Sequence, residues 1–528
     1  MEKLNELKHM LASGTIDRRE FMGRALAAGA TVAMASTLAA GTLKAATPKK
    51  GGRLRIGTAG GSTTDSLDPA TITDIMMQQL SQGQLRNSLT EVDAHGNLIP
   101  ELAESWDSSP DAAVWTFKLR QGVEFHTGKS FEAQDVVESI NHHRGADSKS
   151  AAKGIVDPIK ELKADGKNTV VFTLEGGNAD FPFIMSDYHL TIQPAGTEDL
   201  SDGVGTGGYM LVDYEPGVRA FTKRNPNFWK EGKAHFDEVE TIGIADVNAR
   251  TNAVVTGEID VMNRCDLKTV HLLKRRPGIQ IINVTGTKHY TYAMRTDAAP
   301  FDDNDVRLAM KYAIDREEIV KKILRGNGIV GNDHPIAPSN RFFAKDLPQR
   351  QYDPDKAKFH LKKAGRLGET FHLSTSDAAW DGAVDAAILY KERAAKAGFN
   401  LEVTREPKDG YWDNVWLKKP WTAVFWSGRP TEDWMFSMAY AAGASWNDTV
   451  WEHDRFNMLL KAGRAELDID KRREIYVEMQ QIVRDEGATI VHAFAADLHA
   501  ASDKLGHGKV GANWEFDGFR IAERWWFK

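Results

Sequence analysis

The 528-residue chain holds one cysteine, Cys265. A single thiol excludes an internal disulfide framework and any cysteine-cluster metal site. Beyond residue 45 no stretch reaches the roughly 18 consecutive apolar residues that a membrane-spanning helix needs. Strong charge of either sign is also lacking. The net charge of -7 and pI near 6.2 leave no basic footprint for nucleic acid. The chain has no short repeat, no low-complexity linker, no G-x-S-x-G elbow and no H-E-x-x-H metal pair.

Several near-matches to chemical motifs fail on context. Gly203-Val204-Gly205-Thr206-Gly207-Gly208 has G-x-G-x-x-G spacing. A dinucleotide site needs a helix after it, and Tyr209-Met210-Leu211-Val212 reads as a strand instead. Gly122 to Ser130 approaches a phosphate loop but carries five intervening residues where four are required. His142 and His143 are adjacent, so on a helix they point about 100° apart and cannot share a metal. Asp333-His334-Pro335 would need outside partners to bind one. No constellation survives as a catalytic site, so the chain reads as a non-enzyme without cofactor or metal.

What is present is an ordinary globular composition, with 41% hydrophobic and 27% charged residues. One core rarely grows past about 250–300 residues, so at least two core-forming lobes are expected. Asp17-Arg18-Arg19-Glu20-Phe21-Met22 precedes a weakly apolar stretch, Gly23 to Thr42, and the small-residue segment Leu43-Lys44-Ala45-Ala46. This is the order of a twin-arginine export signal, cleaved near residue 45. Downstream, Leu54 and Ile56, Trp115 to Leu119, and Thr169 to Leu174 read as strands. Asp315 with Glu318 reads as a capping box ahead of an apolar face of Ile319, Val320, Ile323 and Leu324, closed by Gly326. Asp353-Pro354 opens another helix that Gly365 ends. Ile475, Met479, Ile482 and Val483 form a third stripe before Gly487. Interleaved helices and strands favour α/β lobes.

Several ordered segments resemble family 5 of the extracellular solute-binding proteins, the peptide-, opine- and nickel-binding receptors of ABC importers. They include Gly51 to Arg55, Ser66-Leu67-Asp68-Pro69, and Leu98-Ile99-Pro100-Glu101-Leu102-Ala103-Glu104-Ser105-Trp106. Trp115 to His126, Asp135 to Ile140, Gly205 to Tyr209, and Arg224-Asn225-Pro226-Asn227-Phe228-Trp229 continue the series. Gly257 to Val261 and Pro300 to Asp303 with Val306-Arg307 complete it. The resemblance implies a two-lobe α/β periplasmic binding protein of the class II (cluster C) type. Lobe I is expected from 46–85, 205–290 and 495–528, an inserted subdomain from 86–204, and lobe II from 291–494, after the signal peptide at 1–45. It further implies a periplasmic monomer that closes on a small organic solute and delivers it to an ABC permease and ATPase. The run Gly205 to Gly208 is expected as a tight crossing that uses positive φ.

In peptide-binding relatives a Trp-x-Ala-Asp segment offers a carboxylate to the ligand's ammonium group. The matching stretch here is Trp426-Ser427-Gly428-Arg429, with arginine in the aspartate position. Arg295 stands where many relatives have asparagine. Two arginines suggest a bidentate carboxylate clamp and a small peptide or opine-like, zwitterionic amino-acid derivative. The competing reading pairs Arg429 with Glu432, and Arg295 with Asp297 or Asp302. Glu432 or Asp433 would take an amine. Trp426, Trp380 and Trp446 are candidate cleft aromatics, able to stack on a ligand or hold a quaternary amine or other osmolyte. Asp187, Tyr188 and His189 are expected to approach the ligand from the inserted subdomain. An exported enzyme or chaperone on the same fold is the alternative of a different class.

Overall fold

The computed structural model describes Leu7, residues 18–27, residues 48–408 and residues 410–528. The arginine pair lies at the start of a helix, Arg18–Ala27. The expected cleavage segment Leu43 to Ala46 and most of the apolar stretch lie outside the described residues. Among the described residues no helix is long and apolar enough to cross a membrane.

One eleven-stranded sheet runs through the molecule. Its backbone is a pair of long antiparallel strands, Ile279–Met294 and Thr489–Ser502. Strands this long cannot be covered by a single core. The register of the pair shifts between Thr285 and His289, and the bulge marks where the strands pass from one lobe to the other. On one side they continue into Val261–Met262, Arg53–Thr58 and Glu238–Gly243. There Leu54, Ile56, Val239, Phe516 and Trp525 form the lobe I core. On the other side they continue into Trp421–Trp426, Thr370–Thr375 and Asn400–Arg405. Tyr292, Phe371, Tyr390 and Trp421 lie in the lobe II core.

A separate four-stranded antiparallel sheet, ordered Ala103–Ser108, Val114–Leu119, Thr169–Leu174 and Ile159–Ala164, forms the inserted subdomain. Alternate residues of Thr169–Leu174 are buried, as the period of a half-covered strand requires. Phe117, Phe172 and Phe181 meet edge-on in its core, with ring centroids 5.1–6.2 Å apart. Trp115 and Phe117 are buried and Trp106 packs against them, which places all three as core aromatics.

Local readings hold in most places. Asp353 caps the helix Pro354–Lys363 by accepting from the Lys356 N–H, and Gly365 follows with φ +68°. The third stripe belongs to the helix Ile469–Glu486. Asp315 accepts from the Glu318 N–H, but the helix Arg316–Glu318 widens into a π turn over Ile319–Ile323. The glycine run is a correction. Gly205, Gly207 and Gly208 do not have positive φ. They are needed for close approach, since a Cβ would sit 2.2 Å from the Leu85 carbonyl oxygen at Gly205 and 2.1 Å from that of Gln84 at Gly207.

A buried charge cluster ties the inserted subdomain to lobe I. The Lys230 ammonium donates to Glu91 at 2.7 Å, Glu101 at 2.8 Å and Glu523 at 3.1 Å. Arg520 reaches Glu101 at 2.8 Å and Glu523 at 3.2 Å, while Arg524 reaches Glu91 at 2.6 Å and Asp517 at 2.9 Å. Burial alone would raise the Glu91 carboxyl, yet Arg520, Lys230 and Arg524 hold it well below the usual carboxylate range. Removing one member of such a cluster strands the others in a dry interior. Lys230→Met is therefore expected to lower the unfolding free energy in urea by roughly 3–5 kcal/mol, where a surface lysine substitution changes it little.

Candidate functional site

Between the lobes lies a cavity of about 570 Å³. It opens beyond the carboxyl ends of the parallel strands Thr370–Thr375 and Trp421–Trp426, where α/β sheets place their ligands. Lobe II supplies Trp380, Asp381, Phe425 and Ser427, and lobe I supplies Arg264, Cys265, Asp266, Lys268 and Glu515. The crossing strands form the floor with Lys288, Tyr290 and Asp497. Tyr290 and Trp380 stack face to face, with centroids 4.2 Å apart and planes 7° apart. Most ionic groups here are already paired, Lys288 with Asp497 at 2.5 Å and Arg264 with Glu515 at 2.8 Å.

Arg429 lies just past the strand end, two residues beyond Ser427, and is not itself one of the residues that line the cavity. It is partly exposed and donates to the Ser427 hydroxyl at 3.2 Å, the Gly428 carbonyl at 2.5 Å and the Met438 sulfur at 3.2 Å. Among the described residues it forms no ion pair, because Glu432 turns inward and accepts the Phe342 N–H at 2.6 Å. Desolvation lowers its pKa, opposed by Tyr188 and Asp187 of the inserted subdomain. Those two act on it from the far wall. Tyr188 packs against His189, Trp514 and Phe519 at 4.0, 5.7 and 5.8 Å. His189 and Asp187 are closed on each other at 2.6 Å, and the second imidazole nitrogen meets the Ile72 carbonyl at 2.8 Å. Of the three only Tyr188 is partly exposed, and none of them lines the cavity.

The other arginine of the expected clamp is elsewhere. Trp426 pairs in register with His289, and Arg295 lies six residues further along that strand. At ~3.3 Å per residue this places Arg295 roughly 20 Å away along the sheet. Its guanidinium is saturated by Asp297 at 2.6 and 3.0 Å and by the Leu417 carbonyl at 2.6 Å. Arg295 and Arg429 therefore do not converge. Asp433 is also withdrawn, buried against Arg464 at 3.2 Å, with burial first and then Asp180 pushing its carboxyl up to about 6. Neither Glu432 nor Asp433 faces the cavity. Trp426 and Trp446 join Trp416 in an aromatic cluster with centroids 6.1–6.3 Å apart, and Trp446 remains exposed. Asp448 sits beneath it and accepts the Trp416 indole N–H at 3.2 Å. Asp333 is held by Arg316 at 2.6 Å and Arg350 at 2.8 Å. His334, buried beside it, is driven down to about 3 by desolvation and stays neutral. Among the described residues no three His, Cys, Asp or Glu side chains group to hold a metal.

Sequence reasoning missed Tyr290, Phe425, Asp381 and Trp514. Tyr290 lies in a run of buried strand residues and reads as core, and Phe425 is the single exposed residue of an otherwise buried strand, so neither stands out in sequence.

The inserted subdomain also grips lobe II directly. Asp180, at the start of the helix Phe181–Ile184, is buried between Arg472, which reaches both carboxylate oxygens at 2.9 Å, and Arg341 at 3.0 Å. The Ala179 N–H donates to the Arg464 carbonyl at 2.7 Å.

Two α/β lobes joined by crossing strands, with a solute-sized cavity between them, define a solute receptor. The chain belongs to the bacterial extracellular solute-binding proteins, family 5, whose middle-region profile matches residues 97–448. Family 5 proteins bind small solutes and work with ABC permease and ATPase components. The dipeptide-binding protein of Escherichia coli is 26% identical over 478 residues, covering 81% of this chain and 87% of that protein. The heme-binding protein A of Haemophilus influenzae is 30% identical over 56% of this chain and 59% of its own length. The structure of HbpA2 from Haemophilus parasuis superposes with a TM-score of 0.78 at 20% identity, over 90% of this chain and all of that one. These relatives are binding proteins rather than enzymes.

Two outcomes follow from the walls of the cleft. Asp180→Asn leaves Arg341 and Arg472 without their shared anion, so small-angle X-ray scattering should show a larger radius of gyration than wild type. Asp448 is pushed up to about 7, chiefly by burial. The native state then keeps a proton that the unfolded chain releases near pH 4. Its contribution to stability falls by about 1.4 kcal/mol per pH unit as pH rises from about 4 to about 7. Asp448→Asn should remove that slope from denaturant midpoints measured across the interval.

Proposed function

We propose that this protein is the substrate-binding receptor of an ABC importer. It captures a small organic solute bearing a carboxylate, a small peptide or an opine-like, zwitterionic amino-acid derivative. Export through the twin-arginine pathway would deliver it to the periplasm, where it acts as a monomer and passes the solute to the permease. The inserted subdomain and lobe I form one wall, and lobe II closes against them about the Thr285–His289 crossing. The observation that carries the ligand class is Arg429, a partly exposed guanidinium two residues beyond the cavity-lining Ser427, with no carboxylate partner among the described residues. A planar, permanently charged group in a partly desolvated site binds a carboxylate with two parallel hydrogen bonds. The cavity volume lies within the range of small-molecule sites.

The Tyr290–Trp380 stack supports a second reading, a quaternary amine or similar osmolyte seated on the aromatic floor. A ligand that binds only the folded state raises the melting temperature by mass action, so a library of dipeptides, opines and betaines separates the two. For a carboxylate ligand, Arg429→Gln should weaken binding by about 30-fold or more in calorimetry. Arg295→Gln should leave affinity unchanged. Wild-type affinity in Arg429→Gln would remove Arg429 as the anchor and leave the receptor class intact.

A further inference from the structure

Asp381 lies on the lobe II lip of the cavity, one residue beyond Trp380. Among the described residues its carboxylate has no ion-pair partner and accepts no hydrogen bond. The charged groups acting on it are Asp266 across the cleft in lobe I, Asp377 on its own loop, and Lys268 and Lys408, with the two acidic groups outweighing the two lysines. Lys268 is exposed and unpaired. Asp266 spends part of its acceptor capacity on the Lys268 N–H and the Thr269 hydroxyl, at 2.9 and 3.0 Å. The remaining cations of the cavity, Lys288 and Arg264, are closed on Asp497 and Glu515. Among the described residues Asp381 and Asp266 are thus the acidic groups of the cavity that form no ion pair, with Lys268 the one cavity cation also left unpaired.

A second observation points the same way and does not depend on the carboxylates. Tyr290 is nine-tenths buried and lines the cavity, and among the described residues its hydroxyl makes no hydrogen bond. The Trp380 indole N–H stacked against it is likewise without a partner. Buried polar groups of this kind are normally satisfied, and an unsatisfied one at a cavity wall is a place where a ligand completes the set. The stacked rings also offer the electron-rich faces on which an organic cation rests.

We infer that Asp381, backed by Asp266 and by the Tyr290–Trp380 stack, anchors the cationic group of the solute, an ammonium or a guanidinium. The cognate solute is then a zwitterion whose cation lies at the Asp381 lip and whose carboxylate lies at Arg429. This deepens the preceding reading and rests on its premise that the cavity is the solute site. Asp381 is exposed in the ligand-free protein, so the contact gains strength only as the bound solute covers it, and removing the solute's cation then leaves the covered carboxylate unpaired.

The experiment uses a panel of dipeptides and opine-like amino-acid conjugates, each in three forms: free, acetylated on the amine, and amidated on the carboxylate. Thermal shift and calorimetry on the chain from residue 46 compare wild type with Asp381→Asn, Tyr290→Phe and Arg429→Gln. Asp381 is exposed, so Asp381→Asn should keep the ligand-free melting temperature of wild type. In wild type, acetylation should weaken binding at least tenfold. Asp381→Asn should lose about that factor for the free form and become indifferent to acetylation, and Tyr290→Phe should shift affinity in the same direction by less. Equal binding of free and acetylated forms to wild type overturns the assignment. So does an Asp381→Asn protein that still prefers the free amine, or a panel in which no free form raises the melting temperature. The Arg429 reading is scored separately, by the loss on amidation in wild type and its absence in Arg429→Gln.

Discussion

The backbone of two strands, Ile279–Met294 and Thr489–Ser502, belongs to both lobes at once. Their interstrand hydrogen bonds must be satisfied along the whole length, in lobe I, in lobe II and across the gap between them. The register breaks twice near the gap, between Thr285 and His289 and again between Tyr290 and Thr291. Both breaks fall within the short stretch Thr285 to Thr291, where the ladder is locally irregular and easiest to bend. The cavity sits directly over the bulge, with Lys288, Tyr290 and Asp497 as its floor. A solute held there touches the hinge and both lobes, and its binding free energy couples to closure.

Rotation about a hinge is useful only if each lobe moves as a piece. The charge cluster of Lys230, Arg520 and Arg524 with Glu91, Glu101, Glu523 and Asp517 meets this need on one side. It joins the inserted subdomain to lobe I, which brings Tyr188 to the same wall as Trp514 and Phe519. The contact between that wall and lobe II is of a different kind. Asp180 and two arginines meet through charge, with a single backbone hydrogen bond beside them. Interfaces of this sort separate more readily than packed apolar cores, because each partner regains hydration on opening.

Inside the cleft, most charges cancel locally, and the cavity's character comes from the few that do not. Asp381 lines it beside the Tyr290–Trp380 stack without an ion pair, and Arg429, just beyond Ser427, has hydrogen bonds but no carboxylate partner among the described residues. The same logic explains which groups take no part. Glu432 and Asp433 are consumed by the interior of their helix and by Arg464. Arg295 is consumed by Asp297.

Much of this was legible in the chain before folding was considered. The α/β class, the strand pattern of Thr169–Leu174 and the Asp353 cap rest on local periodicity and turn chemistry, and the two-lobe organisation on chain length and the family resemblance. The family resemblance put Arg429 in the position where peptide-binding relatives carry an aspartate, and the fold sets it just past the end of the strand Trp421–Trp426. What could not be read was partnership. Whether an arginine is free or saturated depends on groups brought near it by the fold. Asp297 stands two residues from Arg295, but Glu432 stands only three from Arg429, and one pair forms while the other does not. Helix direction decides the second case, turning Glu432 toward Phe342. Tyr290, Asp381 and Asp266 lie far apart in sequence and share a cavity only because the crossing strands stack the two lobes over one bulge. Local sequence determines which backbone segments form strands and helices, since those interactions span a few residues. The residual charge and unsatisfied hydrogen bonds of the cleft are sums over distant segments, and only the tertiary structure decides them.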